Sequence, residues 1–471
     1  VVLFNSLAFL IFFPAVTISY FLLPHRFRWL LLLLASCYFY MAFVPEYILI
    51  LAATIAVDFY AGIMIGRAEG KKKANYLMLS VLVNIAFLFV FKYYGFFREN
   101  VNSAVGSDLI PLYKIVLPIG LSFHTFQSLS YIFEVYYGRQ VPVTHFGRYA
   151  LFVMYYPQLV CGPIERPFNL LKQFLVERRF LFSRFQSGMT LMLWGFFKKL
   201  VVADRLGMFV DRVWKEPGSF GGIYLFLAAC FFSIQIYCDF SGYTDIARGA
   251  SRVMGIRLML NFDLPFFSKS IPELWRRWHI SLSSWFRDYV YIPMGGGKVS
   301  TVRKHFNVMV LFLLSGFWHG ANWTFIIWGG FHGVLTVLSQ VTAGFRQWFL
   351  RATMLDRIPR VMDIWRIVLT FLLFSLGAIF FRAKTLSDSL TFIAGIPSLS
   401  LKLPADIRIP YDIKSGLLVL GILVFIETLL VAGSLNRYFR KYRLIPLQGL
   451  LLAAILVAGV FEKQSFIYFQ F

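Results

Sequence analysis

Apolar runs about as long as a bilayer is thick recur along almost the whole chain, and they restrict its fold more than any other feature. Roughly 20 consecutive apolar residues in a helix cross about 30 Å of hydrocarbon. Runs that reach or approach this length cover about 3–23, 27–43, 47–66, 76–97, 112–136, 187–207, 220–240, 321–340, 366–381, 415–433 and 444–461. Two shorter ones, 149–163 and 306–318, predict re-entrant or broken helices, the first interrupted by Pro157 and Pro163. In lipid the chain must satisfy its own backbone N–H and C=O groups, and a helix does so within each segment. The expectation is an all-α, polytopic membrane protein of about 11–13 membrane segments. It forms one membrane-embedded domain over 1–471, with re-entrant and interfacial helices around a central funnel.

Composition excludes a water-borne alternative. Of the 471 residues, 59% are hydrophobic and 15% charged, against about 45–50% and about 25% in soluble domains. The first run, Leu3 to Leu23, is longer than a signal core and lacks a basic flank, so it reads as a retained span. Cys37, Cys161, Cys230 and Cys238 lie in apolar stretches without metal-ligand spacing and read as small buried hydrophobes; no metal is expected.

A net charge of +23 would ordinarily suggest nucleic acid, but the cations sit in short loops between apolar runs. That is the positive-inside pattern, which reports topology and removes nucleic acid as a partner; the lipid bilayer takes its place. Arg26 and Arg28 follow the first run, Arg67 and Lys71 to Lys73 the third, Arg139 and Arg148 the fifth. The same count puts 243–305, 342–365 and 434–443 in the cytoplasm and both the N-terminus and the 462–471 tail outside.

The hydrophilic stretch 261–305 is the place to look for chemistry. Ser270 and Glu273 read as a capping box opening one helix over 274–289. Trp275, Trp278, Leu282, Trp285 and Tyr289 form an aromatic face on it, with Arg276, Arg277 and His279 off that face. An interfacial anchor with its Trp rings at headgroup level is one reading. A basic platform for an anionic acyl donor, with Arg276, Arg277 and Trp278 as its binding residues, is a second and compatible one. His319 is the sharper signal. Fourteen helical steps from His305 carry it about 21 Å into the apolar run, bracketed by Gly316, Gly320 and Asn322. An ionisable side chain at that depth is either functional or a neutral imidazole bonded to a neighbouring helix. A neutral imidazole can take the proton of an attacking hydroxyl near pH 7. Asp239, Ser241, Tyr243 and Asp245, at the end of a span, either cap it or pair with a nearby Arg, or they orient an imidazole. His25, His124, His145, His305 and His332 read as structural.

The stretches PELWRRWHISLSSWFRDYVY (272–291), GFWHGANWTFIIW (316–328), IYCDFSGYTDIARG (236–249) and LVCGP (159–163) resemble the membrane-bound O-acyltransferase (MBOAT) family, and within it the AlgI-like alginate O-acetylation branch. The resemblance implies that His319 is the catalytic histidine and His279, 40 residues earlier, a second functional one. It further implies a protein of the bacterial cytoplasmic (inner) membrane that moves an acyl group, here acetyl, from a cytoplasmic donor toward an exopolysaccharide. The donor would be acetyl-coenzyme A or another acyl thioester, with no bound cofactor, and a periplasmic acetyltransferase would serve as partner. D-alanyl transfer toward teichoic acids, in the same family, is an alternative. A transporter of acyl donor or glycan is another, although two similar halves with interrupted helices are not visible. The aromatic end, Ser465 to Phe471, reads either as an interfacial anchor or, through Tyr468, as an acyl relay. The second reading rests on its similarity to the Phe-x-Tyr-Phe ending of a small accessory protein of the D-alanylation system.

Overall fold

The computed structural model describes residues 4–113, 115–398, 400–403, 409–432, 445–461 and 466–467. Among these residues every regular element is a helix, as a chain that meets lipid along most of its length requires. They fall into two compact units. The first comprises 1–196, 243–259 and 444–451, and the second 197–242, 260–443 and 452–471. Among the described residues six helices are long and apolar enough to cross a membrane: Tyr47–Arg67, Gly70–Val105, Gly222–Val253, Trp323–Val341, Pro359–Arg382 and Ile413–Val431. With Leu7–Leu22 and Ile445–Ala458 as shorter apolar helices, the protein is a multi-pass membrane protein.

The first unit runs α1 (Leu7–Leu22), α2 (His25–Met41), α3 (Tyr47–Arg67), α4 (Gly70–Leu88), α5 (Tyr94–Val105), α6 (Leu121–Tyr136), α7 (Phe146–Met154), α8 (Tyr156–Leu159), α9 (Pro167–Phe174) and α10 (Phe182–Phe196). Its interior is pinned by one carboxylate. Asp58 on α3 accepts from Ser80 (2.6 Å) and Asn84 (3.0 Å) on α4 and from Ser128 on α6, and Ser128 also meets the Tyr149 hydroxyl of α7 at 2.8 Å. A polar group sequestered this deeply costs free energy unless bonded, so the cluster fixes four helices at once.

Two expectations change here. The run at 112–136 is helical only from Leu121, because Gly120 sits at φ 78 and turns the chain. Nearly every α6 residue is then buried, so the apolarity of that run reports a protein interior more than a lipid face. The stretch 149–163 is broken, as two short helices, but the break falls at Tyr155, and Pro157 opens α8, where its missing N–H costs nothing.

The second unit holds α11 (Asp204–Lys215), the 222–242 part of α12 (Gly222–Val253), α13 (Ile271–Arg277), α14 (Ile280–Phe286), α15 (Thr301–His319), α16 (Trp323–Val341), α17 (Ala343–Ala352), α18 (Pro359–Arg382), α19 (Leu386–Gly395) and α20 (Ile409–Val431). The helix that closes the apolar sequence, α21 (Ile445–Ala458), contributes to both units. The single helix expected over 274–289 is in fact two. The chain extends at Trp278, turns left-handed at His279 and ends in a π turn over Arg287–Tyr291. Ser270 does cap α13, while Glu273 reaches back to the Lys269 N–H at 2.9 Å. The Trp residues are not a headgroup belt: Trp278, Leu282, Trp285 and Tyr289 are all buried.

α15 and α16 form a hairpin whose backbones nearly touch. A Cβ added at Gly316 would lie 2.3 Å from the Phe325 carbonyl oxygen, and one at Gly329 2.3 Å from that of Phe312. Gly316 and Gly320 are four apart, as are Gly329 and Gly333, so small residues recur at the spacing that lets membrane helices approach closely. Gly316→Leu should therefore lower the unfolding midpoint in detergent clearly, by an overpacking cost of about 1–3 kcal/mol or more. Gly344→Leu, where nothing lies within 4 Å, should leave the midpoint unchanged. Equal midpoints for the two variants would contradict the close crossing.

Candidate active site

His319 is the last residue of α15. The helix ends there because Gly320 departs into extended backbone, and the Asn322 side chain caps the next helix by accepting from the Thr324 N–H at 3.1 Å. Asn322 also donates to the Lys384 carbonyl at 2.9 Å, tying this corner to the chain after α18. Gly320 has no room for a side chain, since a Cβ would lie 2.1 Å from the Phe325 ring. The buried His319 ring is walled by Trp318, Trp328 and Phe381, with centroids 4.9, 5.1 and 5.3 Å away.

His279 reaches the same place from the break between α13 and α14. Its φ of 44 is left-handed, a conformation that costs a non-glycine residue about 1–3 kcal/mol and persists only when its surroundings enforce it. The enforcing group is Asn261. Its carbonyl accepts from the Ile280 N–H at 2.9 Å, and its side-chain oxygen accepts from the Ser281 N–H and hydroxyl at 3.2 and 2.9 Å. On the other side of the corner the Asp263 N–H donates to the Arg277 carbonyl at 2.9 Å. The imidazole packs edge-on against Phe240 at 4.7 Å, and its centroid is 6.4 Å from that of His319.

Both imidazoles line one cavity of about 460 Å³, within the size range of small-ligand sites. Its walls are Trp275, Trp278, Leu282, Phe286, Leu311 and Phe312, and Ser315 lies one helical turn before His319. The cations on its lining are Arg276 and Arg287. Arg277 is absent from that lining and is ion-paired to Glu273 at 2.9 Å. Of the residues singled out in the sequence, the structure thus gathers His279, His319, Arg276 and Trp278, with Asn322 turning the corner beside them. Asn261 and Arg287 are additions, and Gly316, read in the sequence as part of a helix break, serves instead as a point of close helix approach. Only the glycine spacing could have been read in advance.

The acidic residues of α12 have other work. Asp239 is buried and its oxygens receive Lys199 Nζ at 2.5 Å and the Ile467 N–H at 2.8 Å, while Lys199 also bridges Asp204 at 2.8 Å. Asp239 therefore orients no imidazole. It neutralises a buried lysine and holds the end of the chain, where the Phe466 ring lies 4.5 Å from Lys199 Nζ. Ser241 accepts from Lys198 Nζ at 2.9 Å. Tyr243 belongs to the first unit, where it packs on Phe4 at 4.5 Å, and Asp245 pairs with Arg248 at 2.9 Å. His332 is enclosed by Trp275, Trp328 and Phe374, and His124 meets Thr54 at 3.3 Å. Tyr468 lies outside the described residues.

Lys199→Ala should be strongly destabilising, by about 3–5 kcal/mol, because it leaves two buried carboxylates without a counter-charge. Lys199→Met combined with Asp204→Asn and Asp239→Asn should recover most of the loss, read as the unfolding midpoint in detergent. A midpoint unchanged by Lys199→Ala would mean that the triad contributes no stability.

The profile of the membrane-bound O-acyltransferase family matches residues 139–382, a stretch that contains both histidines and the whole cavity lining. The chain is 39% identical over 390 residues to a "Probable alginate O-acetylase AlgI" of Pseudomonas aeruginosa, covering 81% of this chain and 72% of that one. It is 32% identical over 434 residues to a peptidoglycan O-acetyltransferase of Helicobacter pylori, covering 85% and 80%. A teichoic acid D-alanyltransferase of Streptococcus thermophilus shares 32% identity over 239 residues, 47% of this chain and 56% of the other. With the matched region spanning more than half of the chain and containing both cavity histidines, the chain belongs to the membrane-bound O-acyltransferase family and is an O-acyltransferase.

Proposed function

We propose that the chain takes an acetyl group from a cytoplasmic thioester, acetyl-coenzyme A or a relative of it, and passes it through the bacterial inner membrane for O-acetylation of an exopolysaccharide such as alginate. The observation that carries this reading is the convergence of His279 and His319, 6.4 Å apart, on one apolar-walled cavity with Arg276 and Arg287 on its lining. Guanidinium groups bind phosphate oxygens in pairs, which suits the pyrophosphate-bearing end of such a donor. The apolar walls suit its thioester end and exclude the water that would hydrolyse it.

In the transfer step a hydroxyl oxygen attacks the thioester carbonyl, the carbon–sulfur bond breaks, and the hydroxyl proton passes to the His319 imidazole. From there it goes to the departing thiolate, so that an ester and a free thiol result. His279, held at its strained corner, faces the same carbonyl region and steadies the donor. The acceptor hydroxyl is assigned to Tyr468. The chain is pinned one residue earlier, through the Ile467 N–H on Asp239, and the acyl tyrosine would be relieved of its group by a periplasmic acetyltransferase partner. Acetylation of alginate is favoured over D-alanyl transfer because the alginate O-acetylase of Pseudomonas aeruginosa matches 81% of this chain at 39% identity, whereas teichoic acid D-alanyltransferases match 47% and 58% of it at 32% and 28%.

The tests use the purified chain and isotope-labelled acetyl-coenzyme A. His319→Ala should reduce label transfer by about 10²–10⁴-fold without changing the unfolding midpoint, and full activity would sink the mechanism. Arg276→Glu should raise the donor KM with little change in kcat, whereas Arg277→Glu, already engaged by Glu273, should leave KM near wild type. The reverse ranking would move the donor site. Label carried by D-alanine in place of acetate would favour the teichoic-acid reading.

Tyr468→Phe keeps the aromatic surface and removes only the oxygen. Loss of polymer acetylation is expected, and wild-type acetylation in this variant would reduce the tail to an anchor.

A further inference from the structure

A second, larger cavity of about 590 Å³ lies apart from the histidines, between α16, α17 and α18 and the start of α13. Its side walls are aliphatic and aromatic: Leu335 and Leu338 from α16, Phe349 from α17, and Trp365, Leu369 and Leu373 from α18. Its polar edge is basic. Lys269, Arg346 and Arg366 line it, and among the described residues the carboxylate bonded to them is Asp363, shared between Lys269 at 2.7 Å and Arg366 at 3.5 Å. Arg346 instead donates to the Thr342 hydroxyl at 2.5 Å and the Ser339 carbonyl at 2.8 Å. Both acceptors are neutral, so they fix the guanidinium at the cleft without cancelling its charge.

The helix that forms one wall has the character of an interfacial element. No residue of α17 is buried, and Phe345 and Trp348 are 63% and 62% exposed beside Arg346 and Arg351. A short helix with aromatic and cationic residues and no buried face lies at the headgroup boundary of a bilayer. From 342 to 366, Arg346, Arg351, Arg357, Arg360 and Arg366 outnumber Asp356 and Asp363, which assigns this end of the helices to the cytoplasmic leaflet, where anionic lipids attract basic residues. An open apolar surface in a membrane needs no specific ligand. A concave one, floored by leucines and rimmed by cations at headgroup level, has the shape and charge of a lipid site.

We propose that this cleft binds one anionic glycerophospholipid, its acyl chain along Leu335, Leu338 and Leu369 and its phosphate at Arg346, Arg366 and Lys269. The site is separate from the transfer cavity and does not depend on which polymer is acetylated.

The full chain, solubilised in mild detergent and exposed to equal phosphatidylglycerol and phosphatidylcholine, is examined by native mass spectrometry for retained lipid. Phosphatidylglycerol should be retained preferentially. Arg346→Gln should weaken that retention about fivefold, the effect of one interfacial charge worth about 1 kcal/mol. Arg346→Lys should keep most of it, and Leu338→Trp, which fills the cleft from an exposed position (48%), should abolish it. Unfolding midpoints in lipid-free detergent report whether each variant is folded. A second measurement needs no variant: phosphatidylglycerol with a photoreactive acyl chain should crosslink the wild-type protein within 335–373. Equal retention of the two lipids, indifference to both Arg346→Gln and Leu338→Trp, or crosslinks scattered over all apolar helices would each overturn the proposal. So would displacement of the lipid by coenzyme A, which would give the cleft to the donor.

Discussion

The backbone contact between α15 and α16 is the constraint on which the site depends. Between helices in lipid there is little hydrophobic gain, so close packing and dispersion must hold them together. At Gly316 and Gly329 the absence of side chains lets one backbone rest on the other. The geometry of the site follows within a turn of that contact. His319 lies three residues after Gly316, and Trp328 immediately before Gly329, so the crossing that brings the helices together also brings these two rings to 5.1 Å. Widening the crossing by a side chain would separate the imidazole from its wall.

The second imidazole is placed by a different principle. His319 sits at the end of a long regular helix, whereas His279 sits where helical order is interrupted. Its left-handed backbone is held by a short strap, residues 261–263, whose hydrogen bonds flank it on both sides. Each such bond contributes about 0.5–1.5 kcal/mol net, enough together to offset the strain. One histidine is thus fixed by the rigidity of a helix hairpin and the other by a polar loop folded into the interior.

Much of this was legible in the chain itself. Apolar run length gave the membrane class and located α3, α12, α16 and α18, because lipid imposes that length on any spanning helix. His319 stood out because an ionisable group deep in an apolar run is costly. The misreadings share one cause. The aromatic face at 275–289 read in part as an interfacial anchor and the apolar run at 112–136 as a span, yet Trp278, Leu282, Trp285 and Tyr289 and nearly all of α6 are buried against protein, and hydropathy cannot distinguish the two environments. Asp239 read either as a cap or ion-pair partner or as the orienter of an imidazole, and the structure pairs it with a cation, though with a lysine and not with a nearby arginine. Its actual partners, Lys199 and Ile467, are 40 and 228 residues away and could be found only once the chain was folded. Asn261 was invisible for the same reason: nothing local marks an asparagine as the strap that holds a residue 18 positions later.

The left-handed backbone at His279 sets two demands on that position against each other. Glycine adopts this conformation without steric penalty, and asparagine with less than most residues. Replacing the histidine by either would relax the corner, but it would also empty the space that the buried ring fills beside Phe240 and Trp318, and an emptied core site costs at least as much as such strain. The backbone and the packing thus ask for different residues at this one position, and the histidine satisfies the packing at the expense of the backbone.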